Sequence, residues 1–434
     1  DWGIIGVSLR SAGVRDRLAP QGGVYTALSR GAEGDIPQLV SSVGDPLVAP
    51  ESPEAILEAL AGPGSRLVTL TITEKGYCHA PSTGRLDLMH PDIRHDLQNP
   101  EPKSAPGFLV RALELRRNRS LPPFTVLSCD NLPENGKLVR QIVCDMAREI
   151  DTGLVGWIAE EGRFPSTMVD RIVPATKASD IEQVEKLTGR HDAAPVVHEP
   201  FRQWVIEDDF VDAARPRFEA AGAQLVADVR PFETMKLRML NGTHSALAYL
   251  GYLAGHETVA EAAADPLFAR YLDHLWQREI IPTLASPPDT DLSQYAQQLF
   301  DRYRNPSIRH LTWQIAMDGS QKLQPRILST ISANLKAERE FPGLALAVAG
   351  WMRYVSGTDE NGRPIDVRDP LAGELRRAAS AGPTAEDQVT AFQALRQILP
   401  EDLAENSLFK AYVSRILSVL ANSGARAALG GIVS

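Results

Sequence analysis

The stretch Phe124-Thr125-Val126-Leu127-Ser128-Cys129 is an apolar, β-branched run that ends at a polar segment, residues 130–136. A second run of this kind, residues 67–73, ends at the polar cluster 74–77, and helical patterns cover residues 53–61 and 106–118. Strand, polar loop and helix in alternation predict a wound α/β domain. Ligands of such sheets lie at the carboxyl ends of the strands, so the candidate functional loops are Thr71–Tyr77 and Ser128–Asn135.

The character of the sequence changes after further β-like runs at residues 203–206 and 225–229. From about residue 232 onward β-branched runs are scarce, and leucines recur at helical spacing, at Leu237, Leu240, Leu247, Leu250 and Leu253. We therefore expect an α/β domain over residues 1–230, followed by a mostly α-helical domain over residues 231–434.

Composition narrows the class of protein. The 434 residues carry 45 Lys and Arg against 55 Asp and Glu, a net charge of −10 that argues against a nucleic-acid partner. The 3 cysteines form no CxxC pair, which argues for a reducing compartment. No run reaches the roughly 18 to 20 consecutive apolar residues of a membrane span. We expect a cytoplasmic protein without a membrane partner, acting as a monomer or a homodimer.

The densest set of potential catalytic groups lies in Lys236-Leu-Arg-Met-Leu-Asn241-Gly-Thr-His244-Ser245. At about 100° per residue on a helix, Lys236, Asn241 and His244 fall at about 0°, 140° and 80°, on one side. A buried lysine can act as a general base, an amide can donate to a developing oxyanion, and a histidine can orient a hydroxyl group. Glu233, one turn before Lys236, can pass protons to water.

A plainer interpretation of this segment stays open on spacing alone. In it, Lys236 and Arg238 are solvated, Asn241-Gly242 interrupts a helix, and His244 only packs. The metal alternative is weaker still, because His90-Pro-Asp92-Ile-Arg-His95-Asp96 lacks zinc-ligand spacing and is better explained as a solvated loop. We therefore expect no metal site.

The Lys236 segment, with its pattern of Lys, four residues, Asn, two residues and His, resembles the signature of the long-chain mannitol dehydrogenase family of polyol and sugar-acid dehydrogenases. Four further segments resemble family segments in family order, and the likeness runs from residue 2 to about residue 370. These segments are residues 71–77, 128–136, 164–172 and 313–322.

This resemblance implies a Rossmann-like dinucleotide-binding domain followed by a helical substrate domain, and a zinc-independent, NAD-dependent oxidoreductase. Hydride would move between the nicotinamide and a secondary alcohol of an open-chain polyol or sugar acid. Lys236 would be the general base, Asn241 and Asn131 would hold the reacting oxygen, His244 would bind the substrate, and Glu233 would gate the proton path.

The resemblance also implies binding residues for the substrate and the cofactor. Val169 and Asp170 would line the substrate site, and its far end would be formed by Arg309, His310 and Lys322. The cofactor would be held by Thr71, Thr73, Glu74, Asn131 and Arg10.

The cofactor site departs from the family pattern at the front of the chain. The Gly-rich dinucleotide turn, which should precede the apolar strand at Trp2-Gly3-Ile4-Ile5-Gly6-Val7, is not found in this sequence. We therefore expect a Rossmann-like domain that lacks its first strand and turn. The apolar strand ends at Ser8-Leu9-Arg10, where an acidic residue would favour NAD, and Arg10 leaves NADP open. The alternative to an enzyme is therefore an inactive remnant that binds a polyol without catalysing a reaction.

For the substrate, positive charge at Arg309, His310 and Lys322 favours a carboxylate. The resemblance of residues 309–322 ranks fructuronate reductase (D-mannonate to D-fructuronate) above mannitol 2-dehydrogenase (D-mannitol to D-fructose), with another polyol such as arabinitol third. Alternatively, Arg309 pairs with Asp301 or another acid at the surface.

Overall fold

The computed structural model describes residues 2–80 and 83–433. The chain divides into two compact units, Asp1–Arg230 and Pro231–Ser434. The first alternates strands and helices and the second is helical, so the predicted fold class is confirmed.

The strands of the first unit are short. They are β1 (Val7–Ser8), β2 (Tyr25–Gly31), β3 (Gly34–Val40), β4 (Leu47–Val48), β5 (Leu67–Leu70), β6 (His79–Ala80), β7 (Arg85–Leu86), β8 (Thr125–Ser128), β9 (Thr167–Asp170), β10 (Val196–His198), β11 (Gln203–Glu207) and β12 (Gln224–Val226). Parallel pairs are β1 with β4, β2 with β10, β5 with β8, and β11 with β12. Antiparallel pairs are β2 with β3, β6 with β7, and β9 with β11.

The described residues of the first unit form eight α-helices. They are α1 (Gly13–Leu18), α2 (Pro53–Ala61), α3 (Thr73–Gly76), α4 (Pro91–Gln98), α5 (Ala105–Asn118), α6 (Asn135–Ile150), α7 (Thr152–Glu161) and α8 (Ala178–Thr188). The helices expected at 53–61 and 106–118 are α2 and α5. The core of this unit joins β8 to α5, α6 and α7 through fully buried apolar side chains such as Val126, Val143 and Ile158, and burying such side chains stabilises the unit.

The second unit consists of helices, with isolated β-bridges in its described residues. Its α-helices are α9 (Arg230–Met235), α10 (Thr243–Leu253), α11 (Val259–Ala264), α12 (Pro266–His274), α13 (Leu292–Tyr303), α14 (Thr312–Ile315), α15 (Gly319–Leu323), α16 (Ser329–Lys336), α17 (Pro342–Val355), α18 (Ala372–Ala379), α19 (Ala385–Gln393), α20 (Glu401–Ala404) and α21 (Ser407–Val433). Within residues 231–433, three π-helical segments interrupt the α pattern, at Lys236–Gly242, Leu275–Ile280 and Gln324–Leu328.

The apolar run at the front forms less strand than expected. Regular strand begins only at Val7, after an isolated bridge between Ile4 and Val43. The Ile4 and Ile5 side chains are 53% and 59% exposed, so this run is not a packed strand. Pro46 on the partner segment lacks an N–H donor, which interrupts the ladder between the bridge and β4.

One helix, α21, is long and apolar enough to cross a membrane by length and composition, although 33% of its most apolar window is buried. It packs against α17 and α19, and core helices of soluble proteins share this composition. It is weak evidence for a span, and the expected lack of a membrane partner stays a prediction.

Candidate active site

One continuous helix carries the three polar groups that the sequence singled out. It runs from Arg230 to Leu253 and changes from α to π at Lys236 and back to α at Thr243. Gly242 has helical dihedral angles, φ −64° and ψ −52°, so the interpretation in which Asn241-Gly242 interrupts the helix is wrong. The π pattern of hydrogen bonds between residues five apart also corrects the 140° separation expected between Lys236 and Asn241, because it brings them onto one face.

Side chains from outside the segment explain why it is a π-helix. The carbonyl oxygen of Met239 accepts hydrogen bonds from Trp276 Nε1 at 3.0 Å and from Thr243 Oγ1 at 2.6 Å. The carbonyl oxygen of Leu240 accepts one from the Tyr303 hydroxyl at 2.6 Å. Buried carbonyls that leave the α pattern must find other donors, and these three side chains provide them.

Gly242 has no space for a side chain. A Cβ atom there would lie 2.6 Å from the carbonyl oxygen of Arg326, in another π-helical segment. Because that neighbour is backbone and cannot rotate away, the two segments approach this closely only with glycine at this position.

We therefore expect Gly242→Ala to lower the free energy of unfolding by about 1 to 3 kcal/mol, the usual cost of overpacking. Urea unfolding followed by circular dichroism measures the change. The matched control is Gly430→Ala in α21, where a Cβ meets nothing within 4 Å. Alanine is the better helix former, so the control should be neutral or stabilising. Equal effects of the two substitutions would show that Gly242 is not a packing constraint.

Lys236 is buried, with 8% of its surface exposed. Arg238 is half-buried and donates to the carbonyl oxygen and the hydroxyl of Thr283 at 3.1 and 2.9 Å. The interpretation in which both cations are solvated is therefore wrong. Glu233 is half-buried and lies on α9, one turn before Lys236.

His244 is the second residue of α10, directly after the π segment. Its Nε2 atom is sealed from solvent and makes no hydrogen bond to any residue that the structure describes. Its ring lies 5.5 Å from the ring of Tyr303 and 5.6 Å from that of His310. Burial, and then the charges of His310, Arg326, Arg302 and Lys322, hold the pKa of His244 well below its usual value. The imidazole is neutral at neutral pH and offers an unused nitrogen to a ligand.

A pH dependence of stability follows from this burial. The pKa of His244 is lower in the folded state than its unfolded value of 6.5. The neutral imidazole therefore costs no stability above that value, and the free energy of unfolding decreases as pH falls below it. His310, whose pKa burial also lowers, acts in the same direction. We expect the loss to approach about 1.4 kcal/mol per pH unit for each proton that only the unfolded chain binds.

Urea unfolding of the wild type and of His244→Asn at about pH 7.5 and about pH 5.5 tests this expectation. The variant should lose less stability on acidification than the wild type. His191→Asn, which removes an exposed imidazole of the first unit, is the control. A wild-type pH response in His244→Asn would contradict the expectation.

The positive groups near His244 differ from those expected. Lys322 is half-buried and donates from Nζ to the carbonyl oxygen of Met317 at 2.6 Å, and burial lowers its pKa. Arg309 is instead 62% exposed and donates to Glu257 at 2.6 Å. The structure thus brings His310 to His244 but not Arg309, whose guanidinium has a surface acid as partner, namely Glu257 and not Asp301. The expected placement of Arg309 at the far end of the substrate site therefore stays a prediction, for a side chain that already has an acidic partner.

Arg326 is a group that the sequence analysis missed. It lies near His244 and donates from Nη1 to the hydroxyl of Ser245 at 3.0 Å. A signal was available, because Lys322 and Arg326 are like charges four residues apart in one helical stretch, a spacing that is unfavourable unless an anion is shared.

In the first unit, the candidate loops meet at the carboxyl ends of the parallel strands β5 and β8. The carboxylate of Asp130 accepts hydrogen bonds from the backbone N–H groups of Ile72 and Thr73, each at 3.0 Å, and from the Tyr77 hydroxyl at 2.6 Å. Asp130 therefore fixes the backbone that presents Thr71 and Thr73. Both threonines, Glu74 and Asn131 are exposed.

Asn135 is fully buried and is the second side chain that connects the loops at this edge of the sheet. Its Nδ2 atom donates to the carbonyl oxygens of Ser128, Asp130 and Thr167 at 3.1, 3.0 and 3.0 Å, and its Oδ1 accepts from the Thr167 N–H at 2.9 Å. Asp130 and Asn135 were noticed as part of a motif, but their function in holding the loops was missed.

The remaining predicted residues of this unit lie elsewhere. Val169 is half-buried and Asp170 is 4% exposed, and both belong to β9, opposite Trp204 and Gln203 of β11. Arg10 is 64% exposed and pairs with Asp92 at 2.8 Å, so its guanidinium already has an acidic partner.

The residues at this edge of the sheet can be compared with what a dinucleotide or a metal ion needs. Exposed hydroxyl and amide groups of Thr71 and Asn131, at the ends of two adjacent parallel strands and on fixed backbone, suit the hydrogen-bonding edge of a dinucleotide. Residues 2–80 and 83–433 contain no group of three or more His, Cys, Asp and Glu placed to hold a metal ion.

The stretch around His90 is not the solvated loop that the sequence suggested. It forms α4, in which the buried Asp96 accepts hydrogen bonds from the backbone of Lys103 and from Ser104. His90 Nδ1 accepts from the Asp92 N–H at 3.2 Å. These potential ligands are occupied in holding local structure.

Two family models match the chain. The mannitol dehydrogenase Rossmann domain matches residues 1–220, and the mannitol dehydrogenase C-terminal domain matches residues 228–420. The Rossmann type predicted for the first domain is thereby confirmed.

Among curated relatives, an uncharacterised oxidoreductase of Escherichia coli K12 is 48% identical and the D-mannonate oxidoreductase of the same strain is 46% identical. These matches cover 99% and 98% of this chain and 88% of each relative. A mannitol 2-dehydrogenase of Aspergillus terreus is 38% identical, over 98% of this chain and 85% of that protein.

Two solved structures are also similar. The mannitol 2-dehydrogenase of Pseudomonas fluorescens, in a ternary complex with NAD and D-mannitol, is 38% identical with a TM-score of 0.82, over 100% of this chain and 88% of that chain. A substrate-free D-sorbitol dehydrogenase is 32% identical with a TM-score of 0.92, over 99% of this chain and 89% of that chain. With both domains matched in order and this identity along nearly its whole length, the chain belongs to the mannitol dehydrogenase family.

Proposed function

We propose that this protein is an NAD-dependent dehydrogenase that interconverts a secondary alcohol and a ketone on an open-chain sugar acid or polyol. The observation that carries the proposal is the buried Lys236, which shares one face of a π-helix with Asn241, next to the unpartnered Nε2 of His244. Bound NAD would supply the hydride acceptor for the alcohol carbon. The reaction balances because the hydroxyl proton goes to Lys236 while the carbon–oxygen bond becomes double.

The other predicted residues have roles that suit this reaction. Asn241 and Asn131 donate to the oxygen as it develops negative charge. His244 accepts a hydrogen bond from a substrate hydroxyl, and Glu233 passes the proton from Lys236 to water. Val169 and Asp170 line the substrate site. These roles rest on the family resemblance.

For the cofactor, we propose that Thr71, Thr73, Glu74 and Asn131 hold the nicotinamide half. NAD is favoured because the similar mannitol 2-dehydrogenase was solved with NAD. NADP, which Arg10 left open, is less favoured since Asp92 already pairs with that guanidinium at 2.8 Å. We further propose a cytoplasmic monomer or homodimer that acts on small molecules, with no nucleic-acid or membrane partner.

For the substrate, we propose D-mannonate, oxidised to D-fructuronate. Support comes from the 46% identity to a D-mannonate oxidoreductase, against 38% to a mannitol 2-dehydrogenase, and from the cations around His244. Oxidation of D-mannitol to D-fructose is the second candidate, favoured by the structural match to the complex with D-mannitol.

A substrate panel separates these candidates. NADH formation at alkaline pH is followed with mannonate, mannitol, arabinitol, altronate and sorbitol, each with NAD and with NADP. We expect the highest kcat/KM with mannonate and NAD. A highest value with mannitol would favour the second candidate, and no turnover of any substrate would favour an inactive polyol-binding remnant.

We expect activity to survive exhaustive chelation, because lysine and two amides supply the polarisation that a catalytic zinc would otherwise supply. The measurement compares kcat/KM before and after dialysis against a strong chelator, with a zinc-dependent alcohol dehydrogenase as positive control. Loss of activity that zinc restores would overturn the proposed mechanism.

A further inference from the structure

Arg326 is a largely buried cation that lacks an acidic partner. No carboxylate lies within ion-pair distance of its guanidinium in the part of the chain that the structure describes. Its only side-chain hydrogen bond there is the one to the Ser245 hydroxyl at 3.0 Å. Arginine stays protonated in proteins, and a buried charge without a partner is costly, so this arrangement needs an explanation.

A second buried arginine shows how this protein satisfies such a charge internally. Arg116, in α5, also lacks an acid, but its guanidinium donates to the backbone carbonyl oxygens of Pro122, Gly62, Ser65 and Leu60 at 2.6, 2.7, 2.9 and 3.2 Å. Arg116 thus supports local structure. The guanidinium of Arg326 has one hydroxyl as acceptor, whereas that of Arg116 has four carbonyl oxygens. The remaining N–H donors of Arg326 are therefore available to a ligand.

The nearby acids are committed to other groups. Asp369 accepts hydrogen bonds from the N–H and the hydroxyl of Ser320 at 2.8 and 2.6 Å. Asp318 lies 3.9 Å from Lys322 Nζ. Neither carboxylate neutralises Arg326.

Other polar atoms near Arg326 also lack partners. The Tyr249 hydroxyl is buried and, like His244 Nε2, makes no hydrogen bond within the described residues. Tyr249 lies one turn after Ser245 on α10. Burial raises the pKa of Tyr249, and the charge of Arg326 opposes that rise. The hydroxyl and the imidazole nitrogen thus belong to α10, the helix whose Ser245 hydroxyl accepts the hydrogen bond from Arg326.

The backbone ties this group to the proposed catalytic face. The carbonyl oxygen of Arg326 lies against Gly242, the residue after Asn241. Ser245, which holds the guanidinium, is the residue after His244. The cation is consequently fixed beside the helix that carries the proposed base and the proposed oxyanion donor.

We propose that Arg326 is the specificity-determining residue of this site, which binds the carboxylate of the substrate, so that the enzyme acts on sugar acids in preference to neutral polyols. This inference rests on the proposed function and identifies its substrate class. A guanidinium matches a carboxylate with two parallel hydrogen bonds, which a neutral hydroxymethyl group cannot reproduce.

Binding and turnover of Arg326→Gln test the proposal. We expect the dissociation constant for D-mannonate, measured by calorimetry, and KM to rise about 10- to 100-fold, the usual effect of losing a charged hydrogen bond. The dissociation constant for NADH, and any turnover of D-mannitol, should change less than about threefold. Arg326→Lys, which keeps the charge but not the two-fold geometry, should recover part of the affinity for mannonate.

Arg304→Gln, which removes an exposed arginine of the same unit, is the matched control and should leave these constants unchanged. The proposal is overturned if mannonate affinity survives in Arg326→Gln, if NADH affinity falls with it, or if Arg309→Gln causes the loss instead. If the wild type binds mannonate through Arg326 but oxidises none of the panel, the proposed function fails while the binding assignment stands.

Discussion

Lys236→Ala is expected to lower kcat by at least about 10²- to 10⁴-fold, the range that general acid–base catalysis contributes. The variant should bind NADH nearly as the wild type does, because the proposed role of Lys236 is proton transfer and not contact with the cofactor. Lys236 is 8% exposed on a rigid helix, so water has little access to replace the missing amine.

Single-turnover kinetics and NADH fluorescence titration separate these two effects. Lys336→Ala, which removes an exposed lysine at the end of α16, is the control for loss of positive charge. In Lys236→Ala the residual rate should rise with added small amines, which replace the missing base. Loss of NADH binding, or a rate within about tenfold of the wild type, would rule out Lys236 as the base.

Local signals explain why much of the fold was predictable. The Ser52-Pro53 start correctly placed a helix at Pro53–Ala61, because proline suits a first helical turn. The apolar run before Asp130 gave β8 almost to the residue. The strand expected over residues 67–73 ends at Leu70, because Asp130 accepts the Ile72 and Thr73 N–H groups and turns the chain into α3. That contact joins residues distant in sequence, and no local pattern reports it.

The candidate site shows the same limit. The helix around Lys236 was predictable from the spacing of apolar residues, but its π geometry was not. That geometry depends on Trp276 and Tyr303, which come from other helices to satisfy the carbonyl oxygens of Met239 and Leu240. Sequence periodicity of the segment alone contains no information about such donors.

The partners of charged side chains were the least predictable feature of the candidate site. Arg309 and Arg326 are both arginines near a residue implicated by the family resemblance, and composition does not distinguish them. The structure does, because Glu257 pairs with Arg309 at the surface while Arg326 is held inside by Ser245. Whether an acid lies opposite a cation is decided by tertiary packing.

Asn135→Ala is expected to lower the free energy of unfolding of the first unit by about 3 to 5 kcal/mol, because several buried backbone groups lose their partner at once. The amide of Asn135 joins the end of β8, the turn at Asp130 and the start of β9 through hydrogen bonds to Ser128, Asp130 and Thr167. The loss should also weaken NADH binding, since the same turn presents Asn131.

The size of this effect distinguishes a buried amide that connects several backbone segments from an ordinary polar side chain. Asn118→Ala, at the exposed end of α5, is the control and should change stability by less than about 0.5 kcal/mol. Asn135→Asp retains the acceptor for the Thr167 N–H but loses the donors and buries a charge, so it should be at least as destabilising as alanine. If denaturant unfolding shows Asn135→Ala to be as stable as Asn118→Ala, then water replaces the amide and Asn135 does not hold the loop that carries Asn131.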